Sequence, residues 1–145
     1  MSSVVRPGWA ASTPDGAPDL EPAHGLADLP ALADGVTAAG VTVPLDVRGE
    51  PRALLPGLDL AAYRVAQEAL TNVIKHSGAT SCVVIVRYEA EAVDLEITDD
   101  GRGTPGSGDG HGIRGMRERV ALYGGTLLAG PRPEGGFAVT AWFPA

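Results

Sequence analysis

Apolar residues recur at helical spacing in three stretches of the chain. The longest, Leu60 to Ser77, places them on one broad face when successive residues are set about 100° apart. That face consists of Ala62, Val65, Ala66, Ala69, Leu70, Val73 and Ile74. Asp59 is the predicted N-cap of this helix, because its carboxylate can accept a backbone N–H that the first turn leaves unpaired. A weaker helix is predicted from Leu26 to Gly40, and a third from Ile113 to Tyr123.

Five shorter stretches show the alternation of apolar and polar residues that is typical of β-strands. The first, Val41 to Arg48, contains a proline and is therefore expected at a sheet edge. Cys82 to Tyr88 and Val93 to Thr98 are separated by only four residues, which predicts an antiparallel hairpin. Thr126 to Ala129 and Phe137 to Phe143 complete the set. The expected fold class is α+β, a two-layer sandwich with three helices on one face of a mixed five-stranded sheet.

Composition narrows the classes of protein that fit this fold. With 145 residues, 44% of them hydrophobic, the chain is long enough for one domain with a real core. We expect residues 1–24, rich in proline, alanine and glycine, to be a flexible tail or linker, and residues 25–145 to form the domain. A net charge of −7 argues against nucleic acid as a partner. The single cysteine excludes a disulfide framework and no apolar run could span a bilayer, so we expect a cytoplasmic domain without membrane contact, free or part of a membrane-anchored protein.

Polar residues share one edge of the long helix. Glu68, Asn72 and Lys75 follow i, i+4, i+7 spacing, and His76 lies beside them. Asparagine is about half a kcal/mol worse than alanine inside a helix, so its central position requires a reason. An acid, an amide, an amine and an imidazole together could hold a hydrated divalent cation and a phosphate. The helical pattern alone is equally compatible with a solvated edge that has no function.

A glycine-rich turn follows the second strand of the predicted hairpin. Its sequence, Asp99-Asp100-Gly101-Arg102-Gly103, lets the backbone turn sharply and approach a planar ligand closely. A carboxylate held there can accept a hydrogen bond from an exocyclic amine, which distinguishes adenine from guanine. Taken alone, this D-x-G-x-G pattern is also typical of tight turns that bind nothing.

A second glycine-rich segment opens the third helix. The G-x-G-x-x-G pattern of dinucleotide-binding proteins is matched by Gly110, Gly112 and Gly115. That motif requires a strand that leads into the glycines, and no strand is predicted before this segment. Unpaired backbone N–H groups at a helix start, after the polar, glycine-rich run Thr104 to His111, still favour an anion site. The alternative is a loop with a glycine-rich helix entry and no ligand.

The order and separation of these motifs resemble one known family. EALTNVIKHS, DDGRG and GHGIRGMRERV are similar to the N, G1 and G2 boxes of sensor histidine kinases, above all the subfamily with a short ATP lid and an NxxKH form of the N box. The resemblance runs from about Gly25 to Ala145. It implies the Bergerat ATP-binding fold of the GHKL ATPases, with ATP and Mg²⁺ as cofactors.

The resemblance also implies a role for each matching residue. Asn72 would be the Mg²⁺ ligand through its amide oxygen, with Glu68 near the metal-bound water or the reacting hydroxyl group. Lys75 and His76 would meet the phosphates, and Asp99 would bind the adenine amine. The glycines would shape the surface: Gly101 and Gly103 the turn beside adenine, and Gly110, Gly112 and Gly115 the ATP lid and its helix.

The chain departs from the family pattern at one position of this site. The family's last strand often begins with Gly-Gly-Thr, whose threonine helps to bind adenine, whereas this chain has Gly135-Gly136-Phe137. Thr140 is the candidate to replace the missing hydroxyl group.

The function that the resemblance implies is phosphoryl transfer from ATP. The chain would be the catalytic domain of a sensor histidine kinase, donating the γ-phosphoryl group to a histidine on a separate dimerisation domain, with a response regulator downstream. Nothing in the sequence resembles that histidine-bearing domain, so we expect the chain not to phosphorylate itself. Two alternatives remain: an anti-sigma-type Ser/Thr protein kinase, which the NxxKH and MRERV sequences disfavour, and a stand-alone nucleotide-binding module without kinase activity.

Overall fold

Three α-helices lie in the part of the chain that the computed structural model describes, residues 24–101 and 110–145. Helix α1 spans Leu29–Ala38 and is preceded by a 3₁₀ turn at Leu26–Asp28. Helix α2 spans Pro56–Asn72 and continues as a π-helical turn, Val73–Ser77. Helix α3 spans Gly110–Ala121. The predicted tail, residues 1–23, and the segment 102–109 lie outside the described residues.

Five strands form one mixed sheet in the order β1-β2-β3-β5-β4. Their bounds are Leu45–Arg48 for β1, Cys82–Glu89 for β2, Ala92–Asp99 for β3, Thr126–Pro131 for β4 and Phe137–Pro144 for β5. β1 is parallel to β2, and all other neighbours are antiparallel. The predicted α+β fold, the hairpin β2–β3 and the edge position of β1 are thereby confirmed.

The hydrophobic core lies between one face of the sheet and the helices. On β3 the residues predicted to point inward, Val93, Leu95 and Ile97, are all buried, because successive side chains of a strand point to opposite faces. The other face of the sheet carries no helix within the described residues. Leu128 and Trp142 on that face are therefore 71% and 40% exposed.

Helix α2 crosses the middle of the core. Its predicted apolar face is buried, with Val65 and Ala66 fully inaccessible to solvent. The prediction was wrong for Ile74, which is 43% exposed. Ile74 lies at the margin of the predicted face, about 100° beyond Val73 on the helical wheel, and it faces solvent in the π turn that follows Asn72. The predicted stop is present, since Gly78 ends the turn in the left-handed conformation, with φ of 69°.

The start of α2 corrects another prediction. The helix begins at Pro56, so Asp59 lies in its first turn and is not its N-cap. A proline at the first helical position has the required φ and no N–H to satisfy. The Asp59 carboxylate instead accepts the backbone N–H of Leu26, at 2.8 Å, and thereby holds the start of the folded chain against α2.

The first strand is shorter than its pattern predicts. Alternation extends from Val41, but β1 begins at Leu45, and only an isolated bridge joins Thr42 to Ser81 before it. Pro44 interrupts the ladder because it has no N–H, although its carbonyl oxygen still accepts the N–H of Val84 at 2.9 Å. Within residues 24–101 and 110–145, no helix has the length and apolar character needed to cross a bilayer.

Candidate nucleotide-binding site

Most of the residues predicted for the site lie at one end of the sandwich. α2 and β3 both end there, and α3 and β5 both begin there. Backbone hydrogen bonds join neighbouring segments at this end. The N–H group of Cys82, at the start of β2, donates to the carbonyl oxygen of Thr42, and that of Asp100, just after β3, donates to the carbonyl oxygen of Ser81. This end therefore combines a helix terminus, a strand terminus and two glycine-rich segments.

The polar edge of α2 faces the first turn of α3. A Cβ atom on Gly112 would lie 3.0 Å from Oε2 of Glu68 and 3.8 Å from Nδ2 of Asn72. Oε2 is the end of a flexible side chain, so a methyl group on Gly112 would require it to shift by a few tenths of an ångström. The structure thus brings Gly112 close to Glu68 and Asn72, which are one helical turn apart.

Lys75 and His76 follow the α-helical part of the polar edge. Lys75 lies in the π turn and is exposed, and the backbone of His76 follows it in the same turn. A π turn has more residues per turn than an α-helix, so the i, i+4, i+7 spacing of an α-helix does not apply at Lys75.

Asp99 is the one charged residue in the described core. It is 4% exposed, and its Oδ1 accepts the backbone N–H of Gly101 at 2.7 Å. No donor among the described residues reaches its Oδ2. A buried carboxylate oxygen without a donor is unfavourable by about 1–3 kcal/mol, so this atom fits a ligand that brings an N–H group.

Gly136 is a residue of the site that sequence reasoning did not assign. Its φ is +90°, and a Cβ atom there would overlap the carbonyl oxygen of Asp99. Only glycine combines that backbone conformation with so close an approach. The pair Gly135-Gly136 was a signal for this contact, because it directly precedes the strand that pairs with β3.

Thr140 does not replace the threonine that is missing at Phe137. It is the register partner of Glu96, whereas the neighbouring pair Ile97 and Val139 faces the core. Asp99 is on the core side, so Thr140 lies on the opposite face of the sheet. Among the described residues, no strand residue therefore offers Asp99 a hydroxyl group in place of the missing threonine.

Asp100 has a different role from its neighbour. Its carboxylate accepts the N–H of Thr80 at 3.0 Å and that of Ser81 at 3.1 Å, as well as the hydroxyl group of Thr80 at 3.1 Å. These bonds, that of Ser81 first, lower the pKa of Asp100 below its usual value. The carboxylate is therefore ionised at neutral pH and binds the loop that precedes β2.

Cys82 is the register partner of Asp99 and is fully buried beside it. Burial, together with the carboxylates of Asp99 and Asp100, raises the pKa of the thiol to about 12. The thiol consequently stays protonated at neutral pH and is not a nucleophile there.

The remaining predicted residues are Gly103, the lid, Gly110 and Gly115. Gly103 and most of the predicted lid, Thr104 to His111, lie outside the described residues. Gly110 is the first residue of α3, and a Cβ on Gly115 would meet no atom within 4 Å. Gly115 therefore faces open space and is not required for helix packing.

The arrangement defines a class of protein. It brings together a buried carboxylate at a strand end, an acid and an amide on a neighbouring helix, and a glycine-rich helix start that faces them. The profile of the histidine kinase-, DNA gyrase B- and HSP90-like ATPases matches residues 57–145. The chain belongs to this family, and membership implies that the domain binds ATP.

The proteins to which the chain is similar include sensor histidine kinases. It is 36% identical over 105 residues to the sensor histidine kinase LnrJ of Bacillus subtilis, covering 72% of this chain and 26% of that protein. It is 39% identical over 90 residues to the histidine-protein kinase/phosphatase UhpB of Salmonella typhimurium, covering 61% and 18%. The chain thus spans about a quarter or less of the length of these relatives.

Solved structures show the same fold. The histidine kinase domain of the blue-light activated histidine kinase EL346 of Erythrobacter litoralis superposes with a TM-score of 0.63 at 25% identity, covering 81% of this chain and 59% of that one. The ATP-binding domain of PrrB from Mycobacterium tuberculosis gives 0.56 at 21% identity, covering 79% and 93%. The chain corresponds to the ATP-binding catalytic domain of a sensor histidine kinase.

The close approach of Gly112 to the side chain of Glu68 leads to a testable prediction. Replacing a glycine inside a helix by alanine normally stabilises a protein by about 0.5–1 kcal/mol. We expect this gain for Gly115→Ala, whose new methyl group meets no atom. For Gly112→Ala we expect a smaller gain or a loss, because Oε2 of Glu68 must move. Urea denaturation of both variants measures the difference, and equal gains would show that the helices do not approach closely at Gly112.

Proposed function

We propose that this chain binds Mg²⁺-ATP and donates the γ-phosphoryl group to a histidine on a separate dimerisation domain, with a response regulator downstream. The observation that carries the proposal is the buried carboxylate of Asp99, whose Oδ2 meets no donor among the described residues, at the same end of the fold as the polar edge of α2. Similarity to sensor histidine kinases supports the choice of a histidine as acceptor.

In this proposal Asp99 recognises the base. Its free oxygen accepts a hydrogen bond from the amine of adenine, which guanine lacks at that position. Gly101 donates to the other oxygen, and the turn containing Gly101 and Gly103 lies along the edge of the base. Gly136 contributes indirectly, since its close approach fixes the backbone that carries the carboxylate.

The anionic end of the nucleotide lies along α2 and the start of α3. The amide oxygen of Asn72 is a hard ligand suited to Mg²⁺, and Glu68 is one turn away to orient a bound water or receive a proton. When bound, the metal ion neutralises charge on the phosphates. Lys75 and His76 contact the phosphates, and Gly110, Gly112 and Gly115 let the backbone of the lid and of α3 approach them.

The first prediction from this proposal concerns the base. ATP should bind more tightly than GTP. Asp99→Asn should weaken the binding of ATP by roughly tenfold to a hundredfold, because the amine of adenine then faces the NH₂ group of the asparagine side chain in place of a carboxylate oxygen. Asp94→Asn is the matched control: it lies on the same strand but faces away and pairs with Arg87 at 3.0 Å. Competition binding measures the affinity of the unmodified protein for ATP and for GTP, and the affinity of each variant for ATP. Equal affinity for ATP and GTP in the unmodified protein would remove Asp99 from the base site.

The second prediction concerns the metal ion. Asn72→Ala should lose most of the increase in ATP affinity that Mg²⁺ gives, roughly tenfold or more, with little change in affinity when Mg²⁺ is absent. Gln67→Ala is the control, since it removes an amide from the same helix that bonds instead to Arg64 at 3.1 Å. Calorimetry with and without Mg²⁺ tests this. An unchanged dependence on Mg²⁺ would exclude Asn72 as a ligand.

The third prediction concerns phosphoryl transfer. Incubation with γ-labelled ATP and the histidine-bearing domain of the cognate kinase should give an acid-labile label on that domain, because transfer requires an acceptor held in line with the γ-phosphate. Asn72→Ala should abolish the label. ATP binding without label on the acceptor would favour the alternative of a nucleotide-binding module, and an acid-stable label on a serine or threonine would favour the anti-sigma-type kinase.

A further inference from the structure

The loop between α2 and β2 is bonded to the residue that follows β3, through both its side chain and its backbone N–H group. Asp100 accepts three hydrogen bonds from Thr80 and Ser81, and its own N–H donates to the carbonyl oxygen of Ser81 at 3.2 Å. Bonds from neutral donors to an ionised carboxylate are stronger than those between neutral groups. We refer to these four bonds as the Asp100 clamp.

The clamp joins the two halves of the proposed site. On one side, Thr80 follows the π turn that carries Lys75 by only a few residues, so the loop continues directly from the end of α2. On the other side, Asp100 is adjacent in sequence to Asp99, whose carboxylate is buried and bonded to Gly101. A displacement of the loop relative to β3 would therefore change the distance between the base-binding carboxylate and the end of α2.

The clamp is not needed to hold the sheet together. β2 and β3 are already paired along their full length, from Cys82 with Asp99 to Glu89 with Ala92. Asp100 itself is exposed and outside the core. Surface substitutions of this kind usually change stability little, so the bonds of Asp100 fix the loop without determining the fold.

We propose that Asp100 is a positioning residue, which holds the end of α2 at a fixed distance from Asp99 so that one nucleotide can reach both. This inference rests on the proposed function. A nucleotide that binds through its base at one element and through its phosphates at another requires both elements in register at once. A loop that moves freely must be ordered during binding, which reduces affinity.

The proposal makes a prediction that depends on the length of the ligand. Adenosine contacts only the base side, whereas Mg²⁺-ATP spans both sides. Asp100→Ala should therefore leave the affinity for adenosine within about twofold and weaken Mg²⁺-ATP by about tenfold or more. Asp100→Asn should weaken Mg²⁺-ATP less, because its amide oxygen can still accept both N–H groups that bond to Oδ1 of Asp100. Asp46→Asn is the matched control, an exposed aspartate on β1 bonded to Arg48 at 2.8 Å, and should change neither affinity. Competition against a fluorescent nucleotide measures each dissociation constant.

Amide hydrogen exchange tests the clamp independently of nucleotide. Without ligand, the N–H groups of Thr80 and Ser81 should exchange faster in Asp100→Ala than in the unmodified protein, and at an unchanged rate in Asp46→Asn. Thr80→Val, which removes only the hydroxyl donor, should have an intermediate effect on Mg²⁺-ATP and provides a milder variant if Asp100→Ala fails to fold.

Several outcomes would overturn the inference. Equal weakening of adenosine and Mg²⁺-ATP would mean that Asp100 supports only Asp99, and unchanged affinity for both would mean that the clamp has no part in binding. Unchanged exchange at Thr80 and Ser81 would show that the clamp does not order the loop. Failure of the unmodified protein to bind either ligand is a distinct result, which would overturn the proposed function and this inference with it.

Discussion

The location of the site depends on how closely α2 packs against the sheet. The buried side of this helix carries four alanines, each at most 3% exposed: Ala61, Ala62, Ala66 and Ala69. Small side chains let the helix lie near the strands, and Val65 and Leu70 fill the remaining space at the density of a protein interior. A helix packed in this way cannot rotate, so its polar edge is fixed in the direction of α3. The packing of the buried side of α2 against the sheet therefore sets the positions of Glu68 and Asn72 on the polar edge.

The site itself forms where backbones approach more closely than side chains allow. Gly112 lets the start of α3 reach the polar edge of α2, and Gly136 lets the start of β5 reach the carbonyl group of Asp99. These contacts surround a carboxylate that would be unfavourable in a core without a ligand. In the proposed function, a base with an amine satisfies the oxygen of this buried carboxylate that does not bond to Gly101.

Two adjacent aspartates at the end of β3 bond to different parts of the chain. Because successive residues of a strand point to opposite sides, Asp99 turns towards the core and Asp100 towards the loop that follows α2. The Asp99 carboxylate accepts the N–H group of Gly101, and the Asp100 carboxylate accepts those of Thr80 and Ser81. The same alternation excludes Thr140 from the site, since its register partner Glu96 faces away from the core.

The sequence by itself determined the class of fold, most of the apolar face of α2 and the hairpin β2–β3. These features follow from local spacing, because residues about 3.6 positions apart in a helix, or two apart in a strand, lie on the same face. Only the tertiary structure decided that Asp59 bonds to Leu26, that Gly136 lies against Asp99 and that Asp100 holds the loop before β2. Each of these contacts joins residues 19 or more positions apart, as from Asp100 to Ser81, and depends on strand register and helix packing, which no local pattern encodes. The π turn also escaped prediction, because a helical period read from apolar residues assumes the same rotation at every step.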